Sequence, residues 1–276
     1  MATTTATLTS TPRSGRIGAD VHGIDLREPL AAGAVEQIRA LLAEHLVLFF
    51  PEQHLDDDQQ LAFTLRFGDP YVHPLARGAD RPARCEHIVD DVEHPPYQDK
   101  WHTDVSWDSA PPTFATLRAI DLPSRGGDTI WASMYAAHDA LSPLMQSVIA
   151  PLTAIHTMGS AVSFVSKAGA EVVERTRQLF PGSEHPVVAV HPDTGRRYLN
   201  VNREFTDRIA GMSGEESRAL LDLLTAQAMS PNVQLRHSWT VGDVVLWDER
   251  PTQHFAVADY VPERREMGRV AVRVVA

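Results

Sequence analysis

The feature that most constrains this chain is a succession of short β-prone runs with no regular helix between them. Thr113 to Ile120, Thr129 to Ala132, Leu152 to Thr157, Val187 to Val190 and Tyr198 to Val201 each read as strands, with turn residues between several of them. Val233 to Trp239, Asp243 to Trp247, His254 to Val257 and Arg269 to Val275 continue the series. Parallel pairing would need a long crossover, usually a helix, after each strand. Its absence predicts a fold that is mainly β with flanking helices, closed as a sandwich or barrel.

The first third of the chain is more mixed. Ile17 to Leu26 alternates and turns at Gly23, and His87 to Val89 is a short strand candidate. Leu46 to Phe50 is wholly apolar and stopped by Pro51, which suits a strand buried on both faces. Val35, Ile38, Leu41 and Leu42 share one helical face, predicting a helix from Gly33 to His45. Asp56 caps a second helix through Leu65, ended by Gly68. Further helices are expected at Leu141 to Ile149, at Ala168 to Phe180, and from Gly214 to about Met229, where Ser213 and Glu216 form a capping box. Pro192-Asp193-Thr194-Gly195 between two strand runs is a hairpin signal.

Residues 1–15, rich in Thr and Ser and lacking an apolar h-region, are expected to be a disordered tail rather than a signal peptide. Residues 16–276 are expected to form one domain, with Asp69 to Lys100 its least regular stretch. No apolar run approaches the roughly 20 residues that span a bilayer, so no membrane partner is expected. A net charge of −11 argues against nucleic acid, which needs a basic footprint. The single cysteine, Cys85, rules out an internal disulfide and a thiolate cluster, and suits a reducing cytoplasm. With so negative a chain, an anionic substrate would need arginines placed locally to attract it.

Trp101-His102-Thr103-Asp104 carries the first chemical signal. In extended backbone, residues two apart point the same way, so His102 and Asp104 offer an imidazole and a carboxylate to one point. That pair alone describes a loop ion pair equally well. His254, in Trp247-Asp248-Glu249-Arg250-Pro251-Thr252-Gln253-His254, can complete a two-histidine, one-carboxylate set. Such a set leaves adjacent coordination positions open and suits iron(II) oxygen chemistry. Arg265 and Arg269, four apart, would share a strand face and can grip carboxylates. Thr129, after Gly126-Gly127-Asp128, can add a hydroxyl donor.

These residues carry a resemblance. Ile17-Gly18-Ala19-Asp20, Asp25-Leu26, Phe67-Gly68, Trp101-His102-Thr103-Asp104 and Leu122-Pro123 with Gly126-Gly127-Asp128-Thr129 lie in order along the chain. His185-Pro186-Val187-Val188, Val201-Asn202, Trp247-Asp248 with Thr252-Gln253-His254, and Asp259-Tyr260 to Arg269 follow. Together they resemble the taurine dioxygenase (TauD/TfdA) family of Fe(II)/2-oxoglutarate-dependent oxygenases, from about residue 16 to 272. The resemblance implies a double-stranded β-helix, or jelly roll, and Fe(II) held by His102, Asp104 and His254. It implies 2-oxoglutarate and O2 as co-substrates, with Thr129 and Arg265 on the distal carboxylate. It places His73, Gln98, Val105 and Arg269 around a small anionic substrate: a sulfonate, sulfate ester or carboxylate, an aryloxyalkanoate, or a natural-product intermediate. It also implies a homo-oligomer, dimer or tetramer.

The chain departs from the family pattern at Ala76, where the taurine enzyme has a tyrosine, at Gln98, where it has an asparagine, and at Gly268, where a histidine is common. Two other classes share some of these features: a zinc-type hydrolase working through activated water, and a jelly-roll protein that binds ligand without turnover.

Overall fold

The computed structural model describes residues 8–74, 84–158 and 170–275. Its strands are β1 (Thr9–Pro12), β2 (Ala19–His22), β3 (Val47–Phe50), β4 (Asp69–Pro70), β5 (Glu86–Asp90), β6 (Phe114–Asp121), β7 (Thr129–Ser133) and β8 (Thr153–His156). They continue as β9 (Ser183–Pro186), β10 (Val188–Val190), β11 (Arg197–Leu199), β12 (Thr206–Ile209), β13 (Gln234–His237), β14 (Val244–Asp248), β15 (Thr252–Ala256) and β16 (Arg265–Arg273). The helices are α1 (Ala34–His45), α2 (Asp57–Thr64), α3 (Met134–Asp139), α4 (Pro143–Ile149), α5 (Ala170–Leu179) and α6 (Gly214–Ala228).

A large sheet runs β1-β2-β3-β14-β6-β16-β4, with β5 also on β16; a smaller one runs β13-β7-β15. Every pairing is antiparallel except β2 with β3. A two-stranded hairpin, β10-β11, and an accessory sheet, β12-β8-β9, lie outside these two. This is the mainly β jelly roll expected from the sequence.

The wholly apolar runs on β3 and β14 have a simple cause. Val47, Phe49, Val245 and Trp247 belong to one core cluster, with Trp131 of the small sheet. Leu48, Phe50, Val244 and Leu246, the alternate residues, belong to a second cluster with Ile38 and Leu42 of α1 and Phe63 of α2. Both faces of the large sheet's centre are covered, so neither can be polar. No helix among the described residues is long and apolar enough to cross a membrane.

Two differences from the sequence reading stand out. The expected tail through residue 15 is already a strand at Thr9–Pro12, paired with Ala19–His22. Arg13 secures the turn: it pairs with Asp20 at 2.6 Å and lies 3.9 Å from the Phe49 ring centre. A polar edge strand has no alternation to betray it; its stability comes from ladder bonds and that anchor. Helix α3 also precedes α4 where one helix was expected, started by Ser133 capping Ala136 N. Both capping boxes form, at Asp56/Gln59 and Ser213/Glu216, and the hairpin turn pairs Val190 with Arg197.

Candidate metal centre

The three residues expected to meet do so. His102 and His254 form an antiparallel bridge: His102 N donates to His254 O at 3.1 Å, and His254 N to His102 O at 2.8 Å. This extends the small sheet beyond β15 and puts both rings on one face, with centroids 4.2 Å apart. Asp104, two residues on, completes the group. Its Oδ1 lies 3.3 Å from His102 Nε2 and 3.6 Å from His254 Nε2. All three potential ligand atoms are within 4.8 Å of one another.

Neighbouring groups orient and charge these side chains. His102 Nδ1 faces Lys100 O at 2.7 Å; a carbonyl only accepts, so Nδ1 carries a proton and the ring is turned with Nε2 toward Asp104. Burial, with help from the neighbouring His102 and Arg269, pushes His254 down to about 3, so the imidazole is neutral. Burial would raise Asp104, but the Arg269 guanidinium foremost holds the carboxyl well below the usual range. Two imidazoles and one carboxylate, converging without a thiolate, are the donor set that suits a ferrous ion.

A second group of possible donors, Asp57, Cys85 and His87, is satisfied internally. Asp57 pairs with the buried Arg118, and His87 bridges Asp57 at 2.7 Å and Glu266 at 2.5 Å. We therefore regard it as an ion-pair network.

Near the first group lies a buried cation. Arg265 is 3% exposed, donates from Nε to Gly127 O at 3.0 Å, and places Nη2 3.5 Å from Thr129 Oγ1. Among the described residues it has no ion pair. Gly126 and Gly127 shape this corner: both have positive φ, and a Cβ on Gly126 would sit 2.4 Å from Asp259 Oδ1. Thr129 Oγ1 also accepts from Trp239 Nε1 at 3.0 Å, which leaves its own hydrogen free to donate to an anion. Thr129 pairs with Ala256 and Trp131 with His254, so Thr129 sits two residues along from His254 on the same face. Two strand residues span roughly 7 Å, close to the reach of a five-carbon dicarboxylate.

The expected substrate residues are placed less uniformly. Val105 is buried with Trp107, Met158 and Phe205, and Tyr71 and Phe180 pack against them. His73 stacks edge-on to Trp107 at 5.8 Å, and Phe205 edge-on to His102 at 6.1 Å. This apolar group thus stands beside His102. Gln98 is half-buried, and its carbonyl accepts from Ala256 N at 3.3 Å. Arg269 grips Asp104 Oδ2, at 3.0 Å from Nε, and reaches Glu86 at 3.2 Å. Ala76 lies outside the described residues.

Gly268 has a packing cause. A Cβ there would meet Gln60 Oε1 at 2.8 Å and Cys85 Sγ at 2.9 Å, on the α2 side of the sheet and away from Arg269.

Sequence reasoning missed Trp239 and Glu249. Glu249 is fully buried and accepts from Asp104 N at 3.2 Å; burial and the nearby Asp104 charge push its carboxyl well above the usual range. Neither bears a signal in the sequence, because their partners are 110 and 145 residues away.

Comparison with known proteins supplies the family. An alkylsulfatase from Acinetobacter baylyi is 36% identical over 269 residues, covering 94% of this chain and 83% of the relative. An alpha-ketoglutarate-dependent sulfate ester dioxygenase from Pseudomonas putida is 36% identical over 267 residues, covering 95% and 88%. The solved structure of AAD-2 in complex with Mn(II) and N-oxalylglycine superposes with a TM-score of 0.84 at 29% identity, covering 98% of each chain. The model of the taurine catabolism dioxygenase TauD, TfdA family matches residues 7–271, and the chain belongs to that family.

Proposed function

We propose that this protein is an Fe(II)- and 2-oxoglutarate-dependent dioxygenase that oxidises a small organic anion, with sulfate esters first among candidates. The observation that carries this reading is the convergence of His102 Nε2 and His254 Nε2 on Asp104 Oδ1, beside a buried Arg265 with no counter-ion among the described residues. His102, Asp104 and His254 would hold the iron. Arg265 and Thr129 would bind the distal carboxylate of 2-oxoglutarate, and Trp239 would fix the Thr129 hydroxyl. Ferrous iron, when bound, supplies the redox chemistry by which O2 and 2-oxoglutarate yield succinate, CO2 and an oxygen inserted into a C–H bond.

The chain's own residues position, charge and dry the site. Arg269 neutralises the outer oxygen of Asp104 and, by its place on β16, can share its remaining donors with a substrate anion. Val105, Trp107, Met158 and Phe205 supply an apolar wall beside His102. A wall of that kind favours an alkyl or aryl body behind the anionic head over a short zwitterion such as taurine. Similarity to the alkylsulfatase and the sulfate ester dioxygenase supports the same choice. Hydroxylation at the carbon bearing sulfate would give a hemiacetal sulfate ester that collapses to aldehyde and inorganic sulfate.

We also propose one catalytic domain that takes in β1, a cytoplasmic setting, assembly as a dimer or tetramer, and no nucleic-acid or membrane partner. His73 and Gln98 are proposed to line the substrate side.

The test is succinate formation with Fe(II), 2-oxoglutarate and a panel of alkyl sulfates, alkylsulfonates, taurine and aryloxyalkanoates. Stoichiometric succinate, aldehyde and sulfate from an alkyl sulfate, abolished by Asp104→Ala, is the expected result. Sulfate release without O2 would establish a hydrolase instead. Ligand binding without succinate from any candidate would leave a binding protein.

A further inference from the structure

The backbone turns sharply just after Asp104, at a residue poorly suited to the turn. Val105 has φ +50°, in the left-handed region, where a β-branched side chain crowds its own backbone. No glycine or asparagine relieves it. The conformation must therefore be imposed by what surrounds it.

The restraint is visible on both sides of the turn. Asp108 N donates to Val105 O at 2.9 Å, closing the turn itself. Ser106, 3% exposed, is a hub: its Oγ accepts from Asn202 Nδ2 at 2.9 Å and lies 3.0 Å from His156 Nδ1. Asn202 is itself held, its Oδ1 accepting from Phe205 N at 2.8 Å and its N donating to Thr206 Oγ1 at 2.9 Å. At the far end, His185 Nε2 donates to Asp108 O at 3.1 Å, and Tyr71 Oη donates to Asp108 Oδ2 at 2.7 Å. His156, His185 and Thr206 lie on the three strands of the accessory sheet, outside the jelly roll. The same loop brings Phe205 against the His102 ring.

We propose that Ser106, Asn202 and His156 are positioning residues that hold Val105 left-handed and so aim the Asp104 carboxylate at the metal. The inference rests on the metal assignment proposed above. The accessory sheet then sets the direction of one metal ligand from behind.

The test uses Mn(II) titration of the full-length metal-free protein by calorimetry, with folding checked by circular dichroism. Ser106→Ala should weaken Mn(II) binding by about tenfold, the lower end of the range for groups that orient a ligand. Val105→Gly accepts positive φ without crowding, so combining it with Ser106→Ala should recover most of the lost affinity relative to Val105→Gly alone. Asn202→Ala offers the same comparison if Ser106→Ala does not fold. Unchanged affinity in a folded Ser106→Ala or Asn202→Ala protein, or a loss that Val105→Gly does not suppress, overturns the proposal. Asp104→Ala separates the two readings. If it binds Mn(II) as well as wild type, the metal assignment has failed; if it alone abolishes binding, only the positioning role has.

Discussion

Replacing Arg265 by Met should move two energies in opposite directions. In the unliganded protein the guanidinium is buried, with Asp90 and Asp128 attracting it from a distance and no carboxylate in contact among the described residues. Arginine stays charged, so the cost of burying that charge is borne until an anion arrives. Arg265→Met would forfeit the bond to Gly127 O and the long one to Thr129 Oγ1, together about 1–2 kcal/mol. It would also relieve a desolvation cost of several kcal/mol. The unliganded variant should therefore be as stable as wild type or more so.

For 2-oxoglutarate the sign reverses. Two charge-assisted hydrogen bonds to the distal carboxylate, at roughly 1.5–3 kcal/mol each, set a loss of about 3–6 kcal/mol. At 1.4 kcal/mol per tenfold, Kd should rise by about 10²–10⁴. Calorimetric titration of Mn(II)-loaded protein with 2-oxoglutarate measures the second effect, and scanning calorimetry without ligand measures the first. A Kd change of less than about tenfold would refute the carboxylate assignment. A Tm drop in the unliganded variant of more than about 4–8 °C, or about 2 kcal/mol, would show that Arg265 is chiefly structural.

Three further outcomes follow from particular contacts. Trp239→Phe removes the donor that orients the Thr129 hydroxyl, so 2-oxoglutarate binding should weaken by about 0.5–1.5 kcal/mol while Mn(II) affinity stays constant. Gly268→Ala drives a methyl against Gln60 and Cys85, so urea unfolding should show a loss of about 1–3 kcal/mol with metal affinity unchanged. His87 is raised above its ordinary 6.5 by its bonds to Asp57 and Glu266. Its stabilisation is therefore fully present below that value and lost as pH climbs through the raised one. His87→Ala should cost more stability at acid-neutral pH than in alkali, and less in high salt because the site is part-exposed. Equal losses at both pH values would remove the ion-pair reading.

Much of the fold and the meeting of His102 with Asp104 was legible because the relevant physics is local. Two-residue alternation aims His102 and Asp104 together; side-chain caps start α2 and α6; and a Pro-Asp-Thr-Gly turn closes a hairpin. Colinear motifs extended that reading to His254, Thr129 and Arg265. The strands that escaped, β1, β4, β9 and β12, are polar or short. They exist because a partner strand satisfies their backbone, and no residue within them announces that partner.

Tertiary structure alone decided how the site is charged and strained. Arg269 on the outer oxygen of Asp104, Glu249 beneath the Asp104 amide, Trp239 on Thr129, and Ser106 tied to Asn202 all join residues about a hundred or more positions apart. Which carboxyl is ionised, which imidazole is neutral, and which valine is forced left-handed depend on burial and on neighbours brought by chain crossing. Those quantities belong to the folded environment; residue types and spacing determine only which groups can be there to respond.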